Sequence, residues 1–157
     1  GELFERVCQA GRLSEMTTSR IARQQLMAVN YLHQNGIVHR DLKPENWLIA
    51  QKETPLEAAA VKLIDFGTCK RFQEGSQLST LVGTVMYMAP EVLGGLYREK
   101  ADVWSLGATL YTMLAGAEPF SGATDRELIP KVKAGKVQVT LGRWTQVSSD
   151  GQDLVML

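Results

Sequence analysis

The chain has 157 residues, enough for one domain with a core of its own; a chain of this size buries about 68–70% of its unfolded surface on folding. Seventeen basic residues balance seventeen acidic ones, so net charge gives no reason to expect nucleic acid or a membrane surface as partner. The longest apolar stretch, 103–117, is interrupted by Ser105, Gly107, Thr109 and Thr112 and is too short to cross a bilayer. Cys8 and Cys69 form no CxxC pair; they read as free, buried thiols in a reducing, intracellular setting, with cytoplasm as the expected compartment. No secretory leader is legible. "GELFERV" opens on an amphipathic pattern and "SSDGQDLVML" stops on an apolar one, so the chain is expected to be an excerpt of a longer protein.

In chain order, residues 14–35 are expected to be a helix. Ala22, Leu26, Val29 and Leu32 follow helical spacing, and "NG" at 35–36 supplies a stop. "GIVH" reads as a short buried strand. "WLIA" and "VKLI" suit a small hairpin joined by the long polar "QKETPLEAAA". Residues 67–86, with Gly75, Gly83 and several hydroxyls, suit an exposed loop. Residues 102–115 form a helix that is apolar nearly all round, the mark of a core helix; Asp102 at its start can cap free N–H groups and Gly116 ends it. "SGATDRELIPKVKAGK" reads as an exposed helix in which Pro130 predicts a kink or a late start. The expected class is mainly α with a few short β strands.

Between "VH" and "WLI" the segment "RDLKPEN" crowds charges against two apolar flanks. A charged loop between strands is ordinarily just solvated, and a lone HRD or DFG tripeptide means little. Here four patterns stand in one order: "HRDLKPEN" at 39–46, "DFG" at 65–67, "GTVMYMAPE" at 83–91 and "DVWSLG" at 102–107. Together they resemble the signature set of eukaryotic protein kinases, and the match spans nearly the whole chain. The fold implied is the kinase C-terminal lobe, an α+β unit, with residues 1–157 as a partial kinase domain lacking the small N-terminal lobe and the last helices.

The resemblance implies roles residue by residue. Asp41 matches the catalytic aspartate that accepts the proton of a substrate hydroxyl, Lys43 the cation beside the moving phosphoryl, and Thr84 the hydroxyl beside both. Asn46 and Asp65 match the ligands of Mg2+, and Gly67 would allow the sharp turn beside Asp65. ATP is the implied co-substrate, with Leu3 and Leu48 packing around the adenine. His39 and Phe66 match members of a packed spine, Asp102 an anchor of the catalytic-loop backbone, and Trp47, where the family carries Leu or Phe, is expected in the core. Glu91 matches the glutamate of "APE", whose arginine partner would fall beyond Leu157; leaving it unpaired predicts a destabilised chain.

Lys43 and Thr84 point to serine/threonine kinases. "GELFERV", "KLIDFG" and "MAPEVLGG" are most similar to the calcium-dependent and calmodulin-dependent group. Glu2 and Glu45 match acidic positions that bind a substrate arginine three residues before the target, with a ribose contact as the other reading for Glu2 and a surface charge for Glu45. Thr112 stands where some relatives have a further acid. Arg40 could bind a phosphate on Ser76, Ser79 or Thr80; the other reading gives the loop a fixed negative charge from Glu74, and that unphosphorylated mode is favoured.

The Gly-rich loop and the "VAIK" lysine that cover ATP phosphates in the family are not in this sequence; Lys62 belongs to the strand before DFG. The chain alone is therefore expected to be inactive, with an apolar face left for the small lobe, and protein substrates and that lobe as partners. A non-enzymatic kinase-like interaction module is the alternative. A small-molecule phosphotransferase is disfavoured by "APE" and "DVWSLG".

Overall fold

A computed structural model describes residues 2–51, 53–73, 75–137 and 144–156. Helices α1 (Leu3–Ala10), α2 (Glu15–Gln34) and α3 (Ala101–Ala115) surround two short antiparallel pairs, and α4 (Asp125–Ala134) and α5 (Ser149–Met156) close the far side. The first pair joins β1 (Ile37–Val38) to β4 (Lys70–Arg71). The second joins β2 (Trp47–Ile49) to β3 (Val61–Leu63), in the register Trp47↔Leu63 and Ile49↔Val61. This is the mainly helical α+β architecture expected.

Helix α2 starts where Ser14 Oγ accepts the Thr17 N–H at 3.2 Å, satisfying a donor that has no partner inside the helix. Its buried face is Ile21, Ala22, Gln25, Val29 and Leu32, with Thr17 and Thr18 at the start. Leu26, expected on that face, is 44% exposed. One residue on from Gln25 it is rotated by a hundred degrees or so, out of the stripe. Gln24 reaches the hairpin: its Oε1 accepts the Val61 N–H at 3.0 Å and its Nε2 donates to Ala59 O at 3.0 Å. That fixes where β3 begins, although a long loop precedes it.

Helix α3 is the central rod. Leu106, Leu110 and Met113 join Leu3, Ile21, Val29, Leu42 and Trp47 in the main core cluster. Its hydroxyls bury without loss, because Ser105, Thr109 and Thr112 donate to the carbonyls of Ala101, Ser105 and Ala108. Gly116 ends it in the left-handed region, and any Cβ there would strike the Gly11 carbonyl. Leu13 N donates to Met113 O at 2.8 Å, locking the α1–α2 turn to the end of α3.

Two expectations need correction. Helix α4 runs through Pro130 to a left-handed Gly135; it starts only one turn and a residue before the proline, so the ring removes a single bond, to Arg126 O. Cys8 is exposed and only Cys69 is partly buried; both are free thiols. Trp47, by contrast, lies fully in the core as expected. No described helix is long and apolar enough to cross a membrane.

Candidate active site

The segment between β1 and β2 is held from α3. Asp102, wholly buried, accepts the His39 N–H at 2.9 Å and the Arg40 N–H at 2.8 Å, one on each carboxylate oxygen. His33, at the end of α2, meets the same carboxylate at 2.8 Å. The helix N-cap is Lys100, with no side-chain cap. Asp102 therefore acts as the loop anchor and not as a helix cap. Arg40 has φ 74°, a conformation that costs a non-glycine residue about 1–3 kcal/mol; the two bonds to Asp102 offset that cost.

The turn delivers Asp41. Its Oδ1 accepts the Thr84 N–H at 2.9 Å and the Thr84 hydroxyl at 2.8 Å. Its Oδ2 meets Lys43 Nζ at 2.9 Å, and Lys43 also donates to Thr84 Oγ1 at 2.8 Å. Burial by itself would raise the Asp41 carboxyl; bonds and charge from Lys43 and bonds from Thr84 outweigh it and hold the group below the usual carboxylate range. All three predicted catalytic residues thus meet at one point. Thr84 gets there because Gly83 has φ 111° and passes so close to the Arg40 carbonyl that a Cβ would overlap it.

Asn46 and Asp65 approach through backbone pairing. Ile64 N donates to Asn46 O at 2.9 Å, extending the β2–β3 pair by one step, and Asp65 follows at once. The Asn46 amide NH2 donates to Asp41 O at 2.8 Å, which turns its amide oxygen the other way. The left-handed residue is Asp65 itself, φ 59°, and not Gly67. What Gly67 supplies is room: a Cβ there would stand 3.2 Å from Asp65 Oδ1, which accepts the Gly67 N–H.

His39 is buried and stacks edge-on to Phe66 at 5.5 Å. Its Nε2 meets Ile64 O at 3.3 Å, and Asp41 N donates to its Nδ1 at 3.4 Å. Burial lowers its pKa, against the opposing charge of Asp102.

The remaining predicted residues divide. Glu2 bridges to Leu48 across the start of α1, and Leu48 is half-buried. Leu3 is wholly buried in the main core cluster and offers no free surface of its own. Glu45 stands in the 3-10 turn Pro44–Asn46 against which α1 packs, and its Oε2 is buried with no partner among the described residues. Glu91 is exposed, so leaving it unpaired strands no buried charge and the expected destabilisation does not follow. Ser79 and Thr80 are exposed, and Ser76 Oγ donates to Gln73 O at 2.7 Å. Glu74 lies outside the described residues. Sequence reading missed His33 and the close approach at Gly83. Both depend on partners far along the chain, and neither carries a local signal.

A family model described as "Protein kinase domain" matches residues 1–156. The chain belongs to the protein kinase family. Among curated relatives it is 40% identical over 155 residues to calcium-dependent protein kinase 4 of Plasmodium falciparum (isolate 3D7), covering 99% of this chain and 29% of that protein. It is 41% identical over 155 residues to calcium-dependent protein kinase 22 of Oryza sativa subsp. japonica, covering 99% and 26%. The chain thus spans between a quarter and a third of the length of the relatives it matches, and the resemblance to the calcium-dependent group holds over almost all of it.

Proposed function

We propose that the protein carrying this chain transfers the γ-phosphate of ATP to serine or threonine hydroxyls of protein substrates. The observation that carries this reading is the closed set of bonds among Asp41, Lys43 and Thr84. Phosphoryl transfer leaves the protein little covalent work, so positioning and charge neutralisation dominate. The Asp41 carboxyl, held below its ordinary range, is ionised at neutral pH and ready to take the proton of an incoming hydroxyl. Lys43 sets a positive charge within reach of the phosphoryl, and Thr84 fixes both side chains.

Asn46 and Asp65 suit Mg2+: an amide oxygen and a carboxylate are hard ligands, and this ion takes few protein oxygens, the rest coming from phosphates and water. When bound, the ion neutralises charge on the phosphates. Leu48 would line the adenine floor. The small lobe, with its phosphate-covering loop and lysine, would complete the nucleotide site, so residues 1–157 are read as most of the large lobe. Phe66, 52% exposed, suits that contact.

Glu2 and Glu45 would bind a substrate arginine three residues before the target; Glu2 is exposed and its carboxylate is accessible to such a guanidinium. The relatives' names add calcium dependence, which we extend to the whole protein. A reducing, cytoplasmic location fits the two free thiols. The test is Asp41→Asn in the full-length protein, assayed on an arginine-containing peptide. Turnover should fall about 10²–10⁴-fold with nucleotide affinity unchanged; retained turnover would refute the assignment.

A further inference from the structure

Arg40 is turned away from Asp41, and its side chain carries the loop's hold outward. Its Nε donates to Thr68 O at 2.6 Å, three residues past Asp65, and its Nη1 reaches the Tyr97 hydroxyl at 3.5 Å. That hydroxyl in turn donates to Thr80 O at 2.8 Å. Tyr97 also pairs its backbone with Leu78 in both directions, at 2.9 and 3.0 Å. Tyr97 and Leu78 are 3% and 5% exposed, in a cluster with Val38, Met88, Ala89 and Val92. The polar segment from Thr68 to Thr84 is thus fixed at its start by Arg40, at its middle by Tyr97 and at its end by Asp41.

We infer that Tyr97 is a positioning residue: its hydroxyl ties the middle of this segment to Arg40 and so keeps Thr84 in reach of Asp41 and Lys43. The inference rests on the proposed phosphotransfer activity for its kinetic consequence only. The chemistry is a relay of neutral groups on one cation. The phenol accepts from the guanidinium and donates to a carbonyl, which a hydroxyl can do and a phenyl ring cannot. The bond from Arg40 is long, so the bond to Thr80 and the backbone pair at Leu78 supply most of the hold. A hydroxyl supplied by the chain's own sequence needs no added phosphate to order the segment, and this gives Arg40 a partner without invoking Glu74.

The experiment is Tyr97→Phe in the full-length protein, which keeps the buried ring and removes only the hydroxyl, with Tyr31→Phe on the exposed face of α2 as control. Hydrogen exchange by mass spectrometry should show amides of 76–84 exchanging at least about five-fold faster in Tyr97→Phe, with α3 unchanged. On a peptide substrate, kcat should fall about ten-fold, while KM for ATP and the thermal midpoint hold. Unchanged exchange in 76–84 would overturn the inference, whatever the rate does. Faster exchange with an unchanged kcat would also overturn it, since the segment's order would then not matter to turnover. If the unmutated protein transfers no phosphate, the proposed function falls, and the exchange result alone decides the role of Tyr97.

Discussion

Helix α2 buries polar side chains on opposite terms along its length. At its C-terminal end His33 joins Asp102, a fully buried carboxylate that also holds two backbone N–H groups. At mid-helix Gln25, 1% exposed, has neither amide atom paired among the described residues, and nearer the start buried Thr18 has an unpaired hydroxyl. A buried amide without partners costs free energy, whereas both oxygens of the buried carboxylate are bonded. The polar burial that is fully satisfied is the one that shapes the active-site loop. Satisfaction at Asp102 is therefore tied to function, while Gln25 is a local loss that the rest of the core absorbs.

The strongest way to break this contrast is Asp102→Ala. It strands the His39 and Arg40 N–H groups, removes the partner of His33, and leaves the left-handed Arg40 unsupported. A loss of about 3–5 kcal/mol is expected in urea unfolding, with accelerated hydrogen exchange across 38–42. A loss under about 1 kcal/mol would show that Asp102 does not hold the loop. Asp102→Asn, which keeps one acceptor oxygen, should fall between the two.

The opposite change belongs at mid-helix. Gln25→Leu removes both unpaired amide atoms at similar volume on a face shared with Ile21, Ala22 and Val29. It should stabilise the chain by about 1–3 kcal/mol and leave peptide phosphorylation unchanged. Destabilisation would mean that Gln25 has a partner in solution, such as a bound water, and the contrast between the two positions would disappear.

How much of this was readable from sequence follows from how local each cause is. Helices α2 and α3 and both strands of the hairpin came from periodicity and stop residues, because their faces are set by neighbours within a few positions. Asp41, Lys43, Asn46 and Thr84 came from motif order, and the structure brings them together. Fine facing was less legible: Leu26 matches helical spacing yet lies outside the buried stripe, since the stripe's centre is set by α3. Asp102 could be read as cap or anchor, and only the positions of His39 and Arg40, more than sixty residues earlier, decide between them. Leu3 matched a family position around the adenine; its complete burial could not be seen without Leu42 and Trp47 in the same cluster. Gly83 and Tyr97 left no local trace at all.

The smallest expected effect is a pH dependence at the satisfied end. His39 is buried, and its ring is bonded in the neutral form: Nδ1 accepts from Asp41 N and Nε2–H donates to Ile64 O. Burial lowers its pKa from the ordinary 6.5, with Asp102 opposing. The sign follows from proton binding. Between the lowered folded pKa and 6.5 the unfolded chain holds a proton that the folded chain does not, so stability rises with pH through that window and is lost as pH falls. Urea midpoints measured from pH 8 to pH 5 should therefore be level above about 7 and decline below 6.5. His39→Phe, which cannot titrate, should lose most of that decline while starting from a lower stability at pH 8, since it leaves the Ile64 carbonyl unpaired. An equal decline in His39→Phe would assign the slope to another group. Loss of the slope in His39→Phe alone would mark the neutral ring, like the filled carboxylate beneath it, as a condition for holding the loop.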